Sequence, residues 1–146
     1  MAYWKLPPRI KVLEALGCIA DGRIELVGET EARVVGSDGT RTYRVVWDGK
    51  LGISSNDNGS LYKGYLGYPS IAFFMLKGVL PFDEKLANAL RGIPWRELNE
   101  KFRSYAATES FIRELLAERG VSWAYVEAFV EKVLLEIKRL KPYRLG

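Results

Sequence analysis

Two Asp-Gly dipeptides, Asp38-Gly39 and Asp48-Gly49, punctuate an alternating stretch over residues 23–54, and no other feature constrains the fold as strongly. Positive φ is cheapest for glycine and tolerable for aspartate, so each dipeptide predicts a two-residue hairpin turn. With Asp38-Gly39 at one tip, Gly36 faces Arg41, Val34 faces Tyr43 and Ala32 faces Val45. A second turn at Gly28-Glu29-Thr30 sets Ile24 opposite Val34 and Leu26 opposite Ala32. The two registers agree. They align Ile24, Leu26, Ala32, Val34, Tyr43, Val45 and Trp47 on one apolar face, as a sheet packed on helices requires. The expectation is a four-stranded antiparallel meander with Trp47 in the sheet–helix core.

The other sheet face carries Glu25, Arg33 and Arg44 in a cross-strand row, with Val27, Val35, Thr42 and Val46 around it. Arg33 falls directly opposite Arg44, and like charges so placed are destabilising. Glu25 offsets part of that. An anion bridging the two guanidiniums would turn the conflict into charge-assisted hydrogen bonds. Arg33 and Arg44 are therefore candidate anion ligands, with Arg41, Thr42 and Lys63 as further donors.

The flanking segments have helical periodicity. Pro8 suits a first turn, Ile10, Val12, Leu13, Leu16 and Ile19 repeat at helical spacing, and Asp21-Gly22 supplies the stop. Cys18 lies late in this helix and is expected in the core. Residues 70–76 predict a short, almost wholly apolar helix, the most buried of the set. Asp83 can cap a helix through Leu90, stopped at Gly92. Pro94 opens another, with Trp95, Leu98, Phe102 and Tyr105 on one stripe. Thr108 can cap residues 111–119, and Ser122 the last helix, where Val121 and Val126 have the spacing of a hydrophobic staple. Trp123, Val126, Val130, Val133, Ile137 and Leu140 form its seam. The seam ends at Leu140, so residues 141–146 are expected to add little burial. The whole reads as a single α+β domain over residues 1–146: an N-terminal helix, the meander, then a helical cluster on one sheet face.

Between the meander and the helices, residues 54–69 lose all periodicity. Loops this long are uncommon in compact domains and usually functional or mobile. Three tyrosines here argue against simple disorder, because aromatic side chains normally bury surface. Asn56, Asp57, Tyr62, Lys63 and Tyr65 are the candidate ligand-binding groups of this stretch. Asn56-Asp57-Asn58 alternates oxygen-bearing side chains as calcium loops do, but the downstream glutamate of an EF-hand is missing, so no metal is assigned.

The 146 residues include one cysteine and no histidine, which excludes an internal disulfide, Cys/His zinc sites and histidine-based triads. No cofactor is expected. The net charge of +4 comes from Lys138, Arg139, Lys141 and Arg144 near the end; without them basic and acidic residues balance. Cations there are favoured by a helix dipole. Glutamine is absent while ionic residues are plentiful, a thermophile trend. No apolar run is long enough to span a bilayer, and the first residues lack the apolar middle of a secretory signal, so a cytoplasmic protein without membrane attachment is expected.

The segment Leu115-Leu116-Ala117-Glu118-Arg119-Gly120-Val121-Ser122, followed by Val126, resembles the centre of a helix-turn-helix, which implies a recognition helix beginning after Ser122. It departs from that family's pattern at Leu116, where a small residue is favoured, and at Arg119, where an apolar one is. The exposed face would offer Ala124, Tyr125, Glu127, Ala128 and Glu131, whose carboxylates repel phosphate, so an ordinary helical hairpin is expected.

Three functional readings follow, in order of preference. The first is a non-catalytic binding module for an anionic partner, RNA included, using the outer sheet face and the tyrosine-rich loop. The second is a small-molecule-binding protein or enzyme with its site at residues 54–69. The third is a homo-oligomeric assembly protein joined through the half-apolar sheet face or the last helix.

Overall fold

The structure, a computed structural model, describes residues 2–145. Helix α1 (Arg9–Ala20) starts after Pro8 and ends where Gly22 turns left-handed, with Arg23 N–H donating to the Cys18 carbonyl at 3.0 Å. Almost its whole length is buried, Cys18 included, and it packs on α2 (Tyr68–Leu76), the similarly enclosed apolar helix.

Strands β1 (Ile24–Leu26), β2 (Glu31–Val35), β3 (Thr42–Trp47) and β4 (Gly52–Ser55) form the expected antiparallel meander. Ile24 pairs with Val34, Leu26 with Ala32, Ala32 with Val45, Val34 with Tyr43 and Arg33 with Arg44. Ala32, Val34 and Val45 are fully buried beneath the helices. Leu26 is not; at 45 % exposure it lies on a three-residue edge strand. Trp47 is also only partly buried. Its ring meets Phe73 edge-on at 5.5 Å, while its indole N–H donates to the Lys50 carbonyl at 2.8 Å and holds the side chain at the rim of the core.

The sheet has a fifth strand that the sequence pattern does not announce. Lys141 takes a left-handed conformation and turns the chain back, and β5 (Tyr143–Arg144) pairs in parallel with β4. Residues 141–145 are therefore docked rather than free of the body, and Pro142 is buried. The physical reason is the edge of β4, whose unpaired backbone groups this strand satisfies.

Within 54–69 the structure is more regular than expected. β4 runs to Ser55, a single turn of π-helix occupies Gly59–Lys63, and α2 begins at Tyr68. Asp83 Oδ1 caps α3 (Glu84–Ala89) by accepting from Leu86 N–H at 2.8 Å. Helix α4 (Trp95–Phe102) follows Pro94. The next helix, α5 (Tyr105–Glu118), is capped by Ser104 rather than Thr108, whose buried hydroxyl instead donates to the Ser104 carbonyl. Tyr105 thus opens α5 and does not extend the α4 stripe. In α6 (Trp123–Leu140), Ser122 is the cap and Val121 and Val126 are buried as a staple requires, with Phe129 added to the seam.

The turn that resembles a helix-turn-helix serves the fold itself. Arg119 donates to the carbonyls of Ala89 (2.6 Å) and Arg91 (3.1 Å), and the Tyr125 hydroxyl donates to Asp83 at 2.5 Å. Architecture and element order are those of an α+β protein.

Candidate functional site: a tyrosine-lined cavity

Where the helices do not close completely on the sheet, a cavity of about 700 Å³ remains, within the range typical of small-molecule sites. Its walls come from α1, the β2–β3 hairpin, the β4–α2 connection, α4 and the α4–α5 junction. Tyr43, Tyr62, Tyr65, Tyr68 and Tyr105 line it together with Trp95. Tyr43 and Tyr68 meet edge-on at 6.3 Å.

Helix α1 contributes an enclosed charge pair. Lys11 and Glu14 are three residues apart on one helical face, with Lys11 Nζ 2.8 Å from Glu14 Oε2 and 5.0 Å from the centre of the Tyr105 ring. Only 6 % of the Glu14 side chain is accessible, and Oε2 takes no well-aligned hydrogen bond despite that ion pair. Burial pushes the Glu14 carboxyl above the usual carboxylate range; Lys11 and Arg23 pull the other way and the Asp57 charge adds to the rise. Burial would lower the Lys11 ammonium, but the adjacent Glu14 outweighs it and holds the proton on. Burial, with help from neighbouring Tyr105, likewise keeps the Tyr65 hydroxyl protonated, and burial does the same for Tyr68.

Unmet hydrogen-bonding capacity is concentrated here. Among the described residues the buried polar atoms without a partner include Arg23 Nη2, Trp95 Nε1 and Asn99 Oδ1, all from side chains of the cavity wall. Native interiors keep few such groups, and each asks for an explanation. Arg23 is otherwise fixed, with Nη1 donating to the Val35 carbonyl at 2.8 Å.

Two glycines shape the β4–α2 wall. A Cβ on Gly67 would lie 2.2 Å from Asp57 Oδ2, and one on Gly59 would lie 2.4 Å from the Tyr65 ring. Asp57 is buried and accepts from Ser60, at 3.2 Å from the N–H and 2.7 Å from the hydroxyl. Its charge sits beside the N-terminus of α2, where the helix dipole favours an anion.

Of the residues singled out from sequence, Arg41, Asp57, Tyr62, Lys63 and Tyr65 line the cavity. Arg33, Thr42, Arg44 and Asn56 do not. Arg33 and Arg44 are paired across strands as expected, but each guanidinium has its own carboxylate: Arg33 reaches Glu25 at 2.8 Å and Arg44 reaches both oxygens of Glu31 at 2.9 Å. Glu31 is the partner that the cross-strand row omits. Asn56 accepts from the Arg44 backbone N–H at 2.8 Å. Sequence reasoning missed Lys11, Glu14, Trp95, Asn99 and Tyr105 as site residues. One signal was present: Glu14 stands on the apolar stripe of α1, directly after Leu13, where a carboxylate has no reason to be unless something meets it.

The class defined by these observations is an α+β protein whose helices and sheet frame an open, tyrosine-rich cavity. The chain belongs to the family described as Uncharacterised conserved protein UCP014422, whose profile matches residues 4–143 and so takes in the whole cavity wall. No curated protein and no solved structure matches it. Among the described residues no helix is long and apolar enough to cross a membrane, and no group of three metal-ligating side chains converges.

Proposed function

We propose that this protein binds a small organic anion with a planar ring in the cavity. The carrying observation is the coincidence of aromatic walls and cations at one site. Arg41, Lys63 and Arg103 line the cavity and none has a carboxylate partner among the described residues. Tyrosine faces accept a planar ring, and free guanidinium or ammonium groups accept its charge.

RNA on the outer sheet face has less support. A single strand needs aromatic platforms for its bases. On that face Tyr143 is held by Asp48, and the arginines Arg33 and Arg44 are occupied by Glu25 and Glu31. Melting measured with AMP, phenylpyruvate, inorganic phosphate and a single-stranded oligoribonucleotide tests the choice. A small planar anion is expected to raise Tm more than phosphate does, and Arg41→Gln with Lys63→Gln to weaken the shift. Stabilisation by the oligonucleotide alone, lost in Arg33→Gln with Arg44→Gln, would overturn the cavity reading in favour of RNA.

A further inference from the structure

We propose that Glu14 is a catalytic base that moves a proton on the carbon next to the carbonyl of a small aryl 2-oxo acid held in the cavity. The inference rests on the reading of the cavity as a site for planar organic anions and adds a reaction to it.

The geometry is that of a proton-transfer site. Glu14 lines the cavity, its side chain is almost wholly screened from solvent, and among the described residues it forms a single ion pair. Its partner is a cation that lines the same cavity and lies 2.8 Å from one oxygen. Carbon acids ionise only when the charge arriving on the carbonyl oxygen is stabilised, and Lys11 is the group positioned for that. A purely structural ion pair would gain nothing from facing a cavity, and a buried pair is in general poor value for stability.

The groups facing Glu14 set its proton affinity. Lys11 and Arg23 lower it, Asp57 and burial raise it, and Tyr65, Tyr68 and Cys18 are neutral neighbours that feel its charge. The balance leaves a carboxylate more basic than one on the surface, which is what general-base work requires.

The step balances without a cofactor. Glu14 takes the proton from the carbon, the C–H electron pair becomes the C=C bond, and the carbonyl π pair settles on oxygen beside Lys11 Nζ. Glu14 then returns the proton to the carbon or to that oxygen, so keto and enol forms interconvert and nothing is oxidised or reduced. The aryl ring suits the tyrosine walls, and its carboxylate suits Arg41, Lys63 and Arg103.

Phenylpyruvate in D₂O is the probe, with loss of its benzylic proton signal followed by NMR and its binding followed by melting. The protein is expected to accelerate exchange well beyond the buffer rate, and Glu14→Gln to remove about a hundredfold of that acceleration while the melting shift is retained. The rate in the parent should rise with pH through a group titrating above the ordinary carboxylate range, a readout that does not depend on the variant folding. Binding without accelerated exchange, or exchange unchanged in Glu14→Gln, overturns the inference and leaves the binding reading intact. Absence of both binding and exchange overturns it for this substrate class, and the other planar anions then decide the binding reading separately.

Discussion

The Tyr143 hydroxyl donates to Asp48 Oδ2 at 2.5 Å, joining the last strand to the β3–β4 turn across 95 residues of chain. Around this contact the two ends of the chain are knitted together. Trp4 N–H donates to the Pro142 carbonyl at 3.0 Å, Arg144 N–H to the Ala2 carbonyl at 2.8 Å, and the Arg144 guanidinium to the Ser60 carbonyl at 2.9 Å. Gly52 lets the strands approach, since a Cβ there would lie 2.4 Å from Asp48 Oδ2 and 2.6 Å from the Tyr143 ring.

Deleting residues 141–146 should therefore destabilise the protein. Each net hydrogen bond contributes about 0.5–1.5 kcal/mol, so a loss on the order of 2–4 kcal/mol is expected. For a chain of this size that is a fall in Tm of roughly 5–15 °C, measurable by calorimetry. An unchanged Tm would mean that β5 adds nothing to the sheet.

The same contact makes a pH prediction. The Tyr143 hydroxyl holds the Asp48 carboxyl below the usual carboxylate range, while the Tyr143 proton is retained to higher pH than usual by the same bond. A carboxyl lowered in the folded state contributes stability that is present above its unfolded pKa, about 3.9, and is lost as pH falls through the folded value. The stability difference between parent and Tyr143→Phe should thus be constant near neutrality and shrink below about pH 4. Denaturant midpoints across that range check it.

Why the sheet was legible in the sequence and the cavity was not follows from how each is encoded. A hairpin turn fixes register locally, so Asp38-Gly39 alone sets Arg33 against Arg44. The partners of those arginines required more, because Glu31 is near Arg44 only once β2 and β3 are twisted side by side. β5 has two residues and lies parallel to β4, so it leaves no periodic trace. The cavity is assembled by tertiary packing: Glu14 from α1, Tyr43 from β3 and Trp95 from α4 share no local pattern. Only the misplaced carboxylate of Glu14 on an apolar stripe pointed towards it.

Cys18 should be inert in the native state. It is fully buried, and burial pushes its thiol up to about 12. An acid raised in the folded state stays protonated while the unfolded thiol ionises near 8.5, so this residue lowers stability as pH climbs above that point. Labelling by a thiol reagent at pH 8 should proceed at the rate of unfolding, and Cys18→Ala should flatten the alkaline loss of stability. Rapid labelling of native protein would show that α1 opens locally.

The Lys11–Glu14 pair separates a structural from a functional role by the sign of a double substitution. Both side chains are enclosed, at 13 % and 6 % exposure, so removing either partner leaves an uncompensated charge inside the protein. Such a break typically costs about 3–5 kcal/mol, whereas replacing both by apolar groups of similar size is often neutral or stabilising. Lys11→Met should be strongly destabilising, and Lys11→Met with Glu14→Leu should recover most of the loss or exceed the parent. The apolar pair would also abolish the proton exchange expected of Glu14. A double variant that is more stable yet inactive is the signature of a charge pair kept for what it does in the cavity; one as unstable as Lys11→Met would show that α1 relies on Glu14 for packing.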